Sequence, residues 1–313
     1  MRTPEPLPEP LRDRSFSLRE QRIAGARESV SRRRDLYVAS RGVRVPWGVD
    51  QPVAGTVAPL LDVTPGAVAS HLTAARLLGV PLPWDASPEI HLSTVDGGNR
   101  PVRRGVIGHR LTLLPADVVS WGKLRLTSPR RTWLDLAGLL SHEDLVAAGD
   151  HLVNEQGRRF GGARKPYCHL PDLAAVLESY KGVRHLAKAR DAVARVRVGA
   201  DSAPETKLRL ACEDSGLPEP ELRYEVLDET GWGVAWPDLA FVRWKVAVNY
   251  DGRHHLQAQQ RRNDILRDEA LAALGWITVT IDAEIARQVG FAGAAAKIEA
   301  ALRRAGWAPG IEA

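Results

Sequence analysis

The residues best suited to chemistry crowd into the last third of the chain. Asp238 follows Pro237, and Asn249 and Asp251 lie eleven and thirteen positions further on. A strand running from Lys245 to Tyr250 places Lys245, Ala247, Asn249 and Asp251 on one face and Val246, Val248 and Tyr250 on the other, because strand side chains alternate. The valine face can pack, which leaves the other for a site. Ser202-Ala203-Pro204-Glu205 is a helix-opening signal that sets a further acid, Glu205, in a first turn. Carboxylates at the ends of two adjacent strands, with a helix acid nearby, are costly unless something positive lies between them. A hard cation, Mg2+ or Mn2+, held by Asp238, Asn249 and Asp251 is the expected answer, since such ions need only one or two carboxylates beside neutral oxygens and water. In phosphodiester hydrolysis the ion lowers the pKa of a water and offsets charge building on the phosphate.

His254 and His255 follow Gly252-Arg253, where an imidazole can serve as general base or contact phosphate. Arg261, Arg262 and Arg267, with Gln257, Gln260 and Asp264, carry the polar run into the next helix, whose start offers phosphate free N–H groups and a favourable dipole. Arg262 and Lys245 are expected to steady the phosphate. Each of these residues also has a plain structural reading. A first-turn acid such as Glu205 suits the helix dipole, Asp251-Gly252 is a common turn pair, and Asp238 after Pro237 could cap a turn. His71, His109, His142 and His151 are scattered and read as structural. Asp135 in the run Thr132-Trp133-Leu134-Asp135-Leu136-Ala137 reads as helix packing or a local hydrogen bond, and the tryptophans as packing rather than base stacking.

The elements that must position the acids follow the order αβββαβα. A helix from Ser202 to about Asp214 leads to strands at Glu221–Leu227, Trp236–Val242 and Lys245–Tyr250. A helix over Arg261–Leu274, a strand over Ile277–Ile281 and a helix over Ala292–Ala305 complete it. Ahead of this, residues 1–15 alternate Pro and Glu and read as a disordered leader. Residues 16–52 read as a small basic winged-helix-like segment: helices at Leu18–Ala24 and Ser31–Val38, then a strand at Gly42–Pro46. Arg32, Arg33 and Arg34 stand at the front of the second helix, the one able to enter a major groove. From 53 to 198 the pattern predicts a helix at Ala67–Leu78, strands at Ile90–Thr94, Gly105–Thr112 and Lys123–Leu126, and helices opening at Pro129, His142, Pro171 and Leu186. Gly157–Lys165 reads as a linker or a phosphate-touching loop.

Three segments carry a resemblance. Trp236-Pro237-Asp238-Leu239-Ala240-Phe241, then Val246-Ala247-Val248-Asn249-Tyr250-Asp251-Gly252-Arg253-His254-His255, then Arg262-Asn263-Asp264-Ile265-Leu266-Arg267-Asp268 with Leu274-Gly275-Trp276, resemble the very-short-patch-repair-type endonucleases of the PD-(D/E)XK restriction-endonuclease-like superfamily. The resemblance covers about residues 200–285. It implies a magnesium-dependent nuclease core with Glu205 as the helix acid, Asp238 as the central ligand, and Asp251 and His255 beside the cleaved phosphate; motif position prefers His255 over His254. One departure matters. Such relatives commonly read Glu-x-Asp-Gly where this chain reads Asn249-Tyr250-Asp251-Gly252, so a neutral amide oxygen replaces a charged ligand. The mismatch-repair branch itself uses a backbone carbonyl and histidines there. The superfamily lysine is also absent two residues after the acid; Lys245 sits earlier, and an alternative register puts Arg253 in its role. Ala67–Leu82, Gly108-His109-Arg110 and Thr127–Ala137 are similar to segments of the abortive-infection type IV antitoxins, winged-helix DNA-binding proteins with an added domain.

Composition bounds these expectations. The chain has 313 residues, two cysteines and 44% hydrophobic residues, which excludes a disulfide scaffold and general disorder. No stretch approaches the roughly 18 apolar residues of a membrane span, so a cytoplasmic protein with no membrane partner is expected. Its net charge of +5 arises wholly in residues 1–44, and a second basic cluster lies at 103–131. The expected fold class is α+β: a disordered leader (1–15), a winged-helix-like segment (16–52), an antitoxin-like middle region (53–198) and an α/β/α nuclease-like domain (199–313). The expected function is magnesium-dependent hydrolysis of DNA phosphodiesters, in repair or phage defence. The alternative is an inactive DNA-binding regulator or antitoxin that keeps the fold as a scaffold. DNA is the expected partner; a homodimer and a partner toxin or repair protein are compatible with either reading.

Overall fold

In the computed structural model, residues 6–95, 98–155, 165–252 and 258–310 are described, with the backbone alone over 258–264. The fold is mixed α and β, and contacts divide it into two units. One comprises Met1–Leu140 and Ala175–Leu186; the other comprises Ser141–Ala174 and Ala187–Ala313. No helix among the described residues is long and apolar enough to cross a membrane.

The first unit opens with β1 (Phe16–Ser17), α1 (Leu18–Ile23), β2 (Leu36–Ser40) and β3 (Val43–Pro46), the strands forming an antiparallel sheet in the order β1-β3-β2. The Ser17 hydroxyl accepts the Glu20 N–H while Glu20 reaches back to the Ser17 N–H, a reciprocal cap that fixes where α1 starts. Two expectations are corrected here. Leu7 and Leu11, in the stretch read as a leader that buries nothing, pack against Phe16, Val30 and Leu36. The second helix over Ser31–Val38 does not form either. Residues Glu28–Arg32 make a 3-10 turn, and Leu36-Tyr37-Val38, of which Tyr37 is aromatic and Val38 β-branched, pair with Pro46, Val45 and Arg44.

Next come α2 (Val53–Asp62), β4 (Ala67–Ala69), α3 (His71–Leu77), β5 (Ile90–Thr94), β6 (Val106–Arg110), β7 (Val118–Trp121), β8 (Leu124–Thr127) and α4 (Pro129–Leu136). The strands form one mixed sheet in the order β6-β5-β4-β8-β7. Alanine-rich Ala67–Leu78, expected to be one helix, is divided. Its first three residues pair with Thr94, Ser93 and Leu92 of β5 and are fully buried, so sheet pairing overrides local helix propensity. Pro129 opens α4, as the sequence predicts, and it is Ser128 that caps it.

The second unit holds α5 (His142–Val153), α8 (Ala203–Asp214), β9 (Val226–Leu227), β10 (Gly233–Ala235), β11 (Leu239–Phe241), β12 (Val246–Asp251), α9 (Ala258–Ala273), β13 (Ile277–Asp282) and α10 (Ala283–Arg304). Gly290, with φ 68°, breaks α10 into a short first piece and the longer helix expected near Ala292–Ala305. Between α5 and α8 run α6 (Leu170–Ser179) and α7 (Leu186–Arg195), each crossing the division between the units. β11 and β12 are antiparallel; β12 and β13 are parallel and joined through α9, as parallel neighbours require a crossover. One face, with Leu239, Phe241, Val246, Val248, Val279 and Ile281, is buried under α8 and α10. The other, with Ala240 and Ala247, packs on Leu271 and Trp276. The expected strand at Glu221–Leu227 is interrupted by Arg223, which takes a left-handed φ of 57°. It survives as a bridge between Glu221 and Ala240 and as the short β9, which pairs with β10.

Candidate functional site

Alternation along β12 decides which of its residues can meet a ligand. Val246 and Val248 belong to the core under α8 and α10, and Tyr250 packs against it. Ala247 is in the opposite cluster, so Asn249 and Asp251 share that opposite face. In the β11–β12 ladder, Leu239 faces Val248, which sets the preceding residue, Asp238, at the level of Asn249. The Asp238 carboxylate accepts the backbone N–H of Tyr250 at 2.6 Å, between Asn249 and Asp251.

Glu205 reaches the same place from the first turn of α8. Its Oε1 accepts the Ser202 hydroxyl at 2.7 Å and its Oε2 accepts the Asp201 N–H at 2.9 Å. Thus it caps its own helix, as the plain reading held, yet it also lies close enough to Asp238 for the two charges to oppose one another. Burial, then the Asp238 charge, pushes the Glu205 carboxyl up to about 7. Burial chiefly pushes Asp238 up to about 6; the Tyr250 N–H and Arg267 pull the other way, while Asp201 adds to the rise. Two half-buried acids that resist joint ionisation make a site short of positive charge. Asn249 points the same way: its Nδ2 is buried without a hydrogen-bond partner. A half-turn of that amide would present an oxygen instead, so the donor set of two carboxylates and an amide oxygen fits a hard divalent ion.

Not every expected residue joins this group. Lys245 has a left-handed φ of 50°, caps the turn before β12 and donates to the Leu274 carbonyl at 3.0 Å. Four residues at about 3.3 Å each separate it from Asn249, roughly 13 Å along the strand, so it stabilises the end of α9 and does not share the acids' site. Asp251 pairs in register with Asp282 and lies beside Tyr250, whose phenol is raised by burial and by both acids. His255, and His254 with it, lie outside the described residues. Arg261 and Arg262 fall in the first turns of α9, where only the backbone is described; Arg267 is half-buried and within electrostatic reach of Asp238.

The basic segments of the first unit are largely engaged within it. Arg33 pairs with Asp35 at 2.6 Å and Arg32 lies 3.7 Å from Glu28, while Arg34 is exposed. All three precede a strand rather than opening a helix, so the groove-entering element expected there is absent among the described residues. In the 103–131 cluster, Arg131 is buried against Asp135 at 2.9 Å, Arg130 pairs with Asp117, and Arg103 donates to the Arg41 and Val63 carbonyls. Asp135 therefore has the local structural bond predicted for it.

Two groups are unmarked in the sequence. Asp201 is held by Asn154 at 2.8 Å and Arg223 at 3.3 Å, and it borders Glu205. Its only linear signal is its place just before the Ser202 cap. His71, His91 and His109 meet in the first unit; their similar intervals along the chain are the one trace of this, and a helix through His71 hid it. Gly199, at the expected boundary, has φ 123°, and an added Cβ would stand 2.8 Å from that of Leu222, so glycine alone lets this chain segment pass beneath Leu222 on its way to Asp201.

No family model matches the chain. It is 30% identical over 262 residues to the uncharacterized protein MT2308 of Mycobacterium tuberculosis (strain CDC 1551 / Oshkosh), a match spanning 79% of this chain and 88% of that one. The uncharacterized protein Rv2248 of Mycobacterium tuberculosis (strain ATCC 25618 / H37Rv) matches with the same identity and the same coverage.

Proposed function

The chain belongs to one family with these two uncharacterized mycobacterial proteins, and we propose that it is a metal-dependent nuclease whose Glu205 and Asp238 hold the ion and whose substrate is DNA. The observation that carries this reading is a pair of half-buried carboxyls, one from the start of α8 and one from the start of β11, near enough for the Asp238 charge to raise Glu205 while Asp238 accepts the Tyr250 N–H on the Asn249 strand. Such an arrangement is unfavourable in an empty fold and becomes favourable around a cation.

Bound Mg2+ or Mn2+ would supply a water of lowered pKa and neutralise charge on the phosphate. The chain's own residues provide the positioning. The Tyr250 N–H fixes one Asp238 oxygen, and Ser202 with the Asp201 N–H fixes both Glu205 oxygens, so neither carboxylate swings freely. Asn249 offers a neutral oxygen on the same strand face. Arg267 acts electrostatically on Asp238 and keeps a positive charge near the site.

The test is nicking of supercoiled plasmid, mismatched duplex and single strands in magnesium or manganese. Cleavage by the wild type that falls by at least ~100-fold in both Asp238→Asn and Glu205→Gln supports the reading. Metal-independent activity, or cleavage that survives both substitutions, overturns it. A second reading, a DNA-binding regulator without turnover, rests on Asn249, an amide where a third carboxylate would complete the ligand set. Mobility shifts without nicking favour that one.

A further inference from the structure

Three histidines distant in sequence converge in the first unit. His71 opens α3, His91 lies in β5 and His109 in β6. β5 and β6 are parallel with Ser93 beside His109, so His91 and His109 occupy diagonal positions on neighbouring strands. One nitrogen from each of the three rings lies within 4.8 Å of the others, the only such meeting of three His, Cys, Asp or Glu side chains among the described residues. His109 Nε2 and His91 Nδ1 are 3.0 Å apart, and the rings of His71 and His109 stack at 3.7 Å. His71 is 8% and His91 2% exposed, whereas His109 is half-buried.

Simple packing of neutral imidazoles accounts for part of this arrangement, but three features point to a ligand. The Nε2 of His91 is buried with no hydrogen-bond partner, a cost that native interiors avoid. His71 holds a left-handed φ of 48°, strain that clusters at functional sites. Its Nδ1 lies 3.0 Å from the Ser70 hydroxyl, which in turn receives a bond from Ser93 at 2.6 Å. That chain orients the ring as second partners of metal-bound histidines do. Burial also holds all three rings in the uncharged form that metal binding requires: His71 is pushed down to about 2 and His91 to about 4, and His109 is lowered as well.

We propose that His71, His91 and His109 bind one divalent transition-metal ion of the zinc class through three imidazole nitrogens, leaving a fourth position for water or another ligand. Imidazole suits zinc, cobalt and nickel, whereas magnesium selects oxygen. At zinc–nitrogen distances of about 2.0–2.1 Å, tetrahedral ligands stand roughly 3.3 Å apart, so binding draws the nitrogens together and turns His109, the least buried ring, out of its stack on His71 to aim its in-plane lone pair at the ion. The site is separate from Glu205 and Asp238 in both donor chemistry and unit, and it stands whether or not those acids cleave DNA.

The full-length chain, stripped of metal with a chelator, is titrated with ZnCl2 by calorimetry and with CoCl2 by visible absorption. The expected result is a zinc equivalent that the Glu205→Gln/Asp238→Asn variant still binds, as its only one, and a cobalt spectrum of tetrahedral type. His109→Ala, at the least buried of the three positions, weakens zinc binding by at least ~100-fold and removes the visible band. Ser70→Ala weakens it by roughly tenfold. Binding persists in a His254→Ala/His255→Ala double variant and in Glu205→Gln/Asp238→Asn. Because a His91 variant could fail to fold, the rise in thermal midpoint on adding zinc to the wild type, lost in His109→Ala, gives a second readout. Retention of the cobalt band in His109→Ala, or absence of zinc binding by the wild type, overturns the proposal.

Discussion

Asp150 and Arg209 are both almost sealed from water, 3.1 Å apart, and the Asp150 carboxylate also accepts the Arg197 N–H and the Thr206 hydroxyl. Removing one partner leaves the other charge buried and uncompensated, so Asp150→Ala is expected to cost about 3–5 kcal/mol in denaturant unfolding. Asp135 gives a test that depends on pH. Burial pushes its carboxyl up to about 6, against the pull of Arg131. A carboxyl that holds its proton more tightly folded than unfolded contributes stability below its unfolded pKa of about 4, and loses that contribution as the pH rises through about 6. The denaturation midpoint of the wild type should therefore fall relative to that of Asp135→Asn across this window; parallel curves would remove the account. At the acidic site the sign differs from that of ordinary surface residues. Asp238→Asn relieves repulsion with Glu205 while its amide oxygen can still accept the Tyr250 N–H. In metal-free buffer its thermal midpoint should equal or exceed that of the wild type by roughly 2–4 °C, even as nicking disappears.

Single elements set the geometry around these residues. Gly108 lies in β6 beside His109, and an added Cβ would stand 1.9 Å from the Pro101 carbonyl. Backbone cannot move aside as a side chain can, so Gly108→Ala must shift β6 or the 100–101 segment. The expected cost is about 1–3 kcal/mol, visible as a lowered thermal midpoint. For α8 the cap is also part of the site: the Ser202 hydroxyl accepts the Glu205 N–H and donates to the Glu205 carboxylate. Ser202→Ala should lose about 1 kcal/mol of stability and, on the nuclease reading, reduce cleavage without raising the substrate concentration needed. The helix starts near Leu18, Pro129, His142 and Ser202 are legible in the sequence because they depend on a few neighbouring residues, and the structure adds that Ser17, Ser128, Ser141 and Ser202 cap them. The strand at Ala67–Ala69 is not, since its partner lies more than twenty residues away in β5.

At the scale of the whole molecule, the unit holding the acids reaches back before the boundary expected at Gly199. α5 packs on α8 through Asp150, Thr206 and Arg209, and Lys207 pairs with Asp144 at 2.6 Å. A fragment of residues 199–313 would expose that face of α8 and strand Arg209 without its partner. It should unfold without a cooperative transition, whereas the full chain shows one or more sharp transitions by circular dichroism. A fragment with native-like cooperativity would mean that α5 is dispensable.

By itself the sequence determined the helix opening at Ser202, the run of β12, α9 and β13 in that order, the facial split of β12 into a valine side and an Asn249–Asp251 side, and Glu205 and Asp238 as neighbours worth naming. These follow from capping, alternation and chain order, all short-range. The single strand expected between α8 and β11 is instead two short ones. Only the tertiary structure decided that Lys245 belongs to the far end of its strand, that Arg32, Arg33 and Arg34 lead into a strand instead of a helix, and that Asp201 borders Glu205. Only it brought His71, His91 and His109 together. Each of those outcomes depends on which distant segment supplies the missing hydrogen bond or excludes water, and no local pattern encodes that choice.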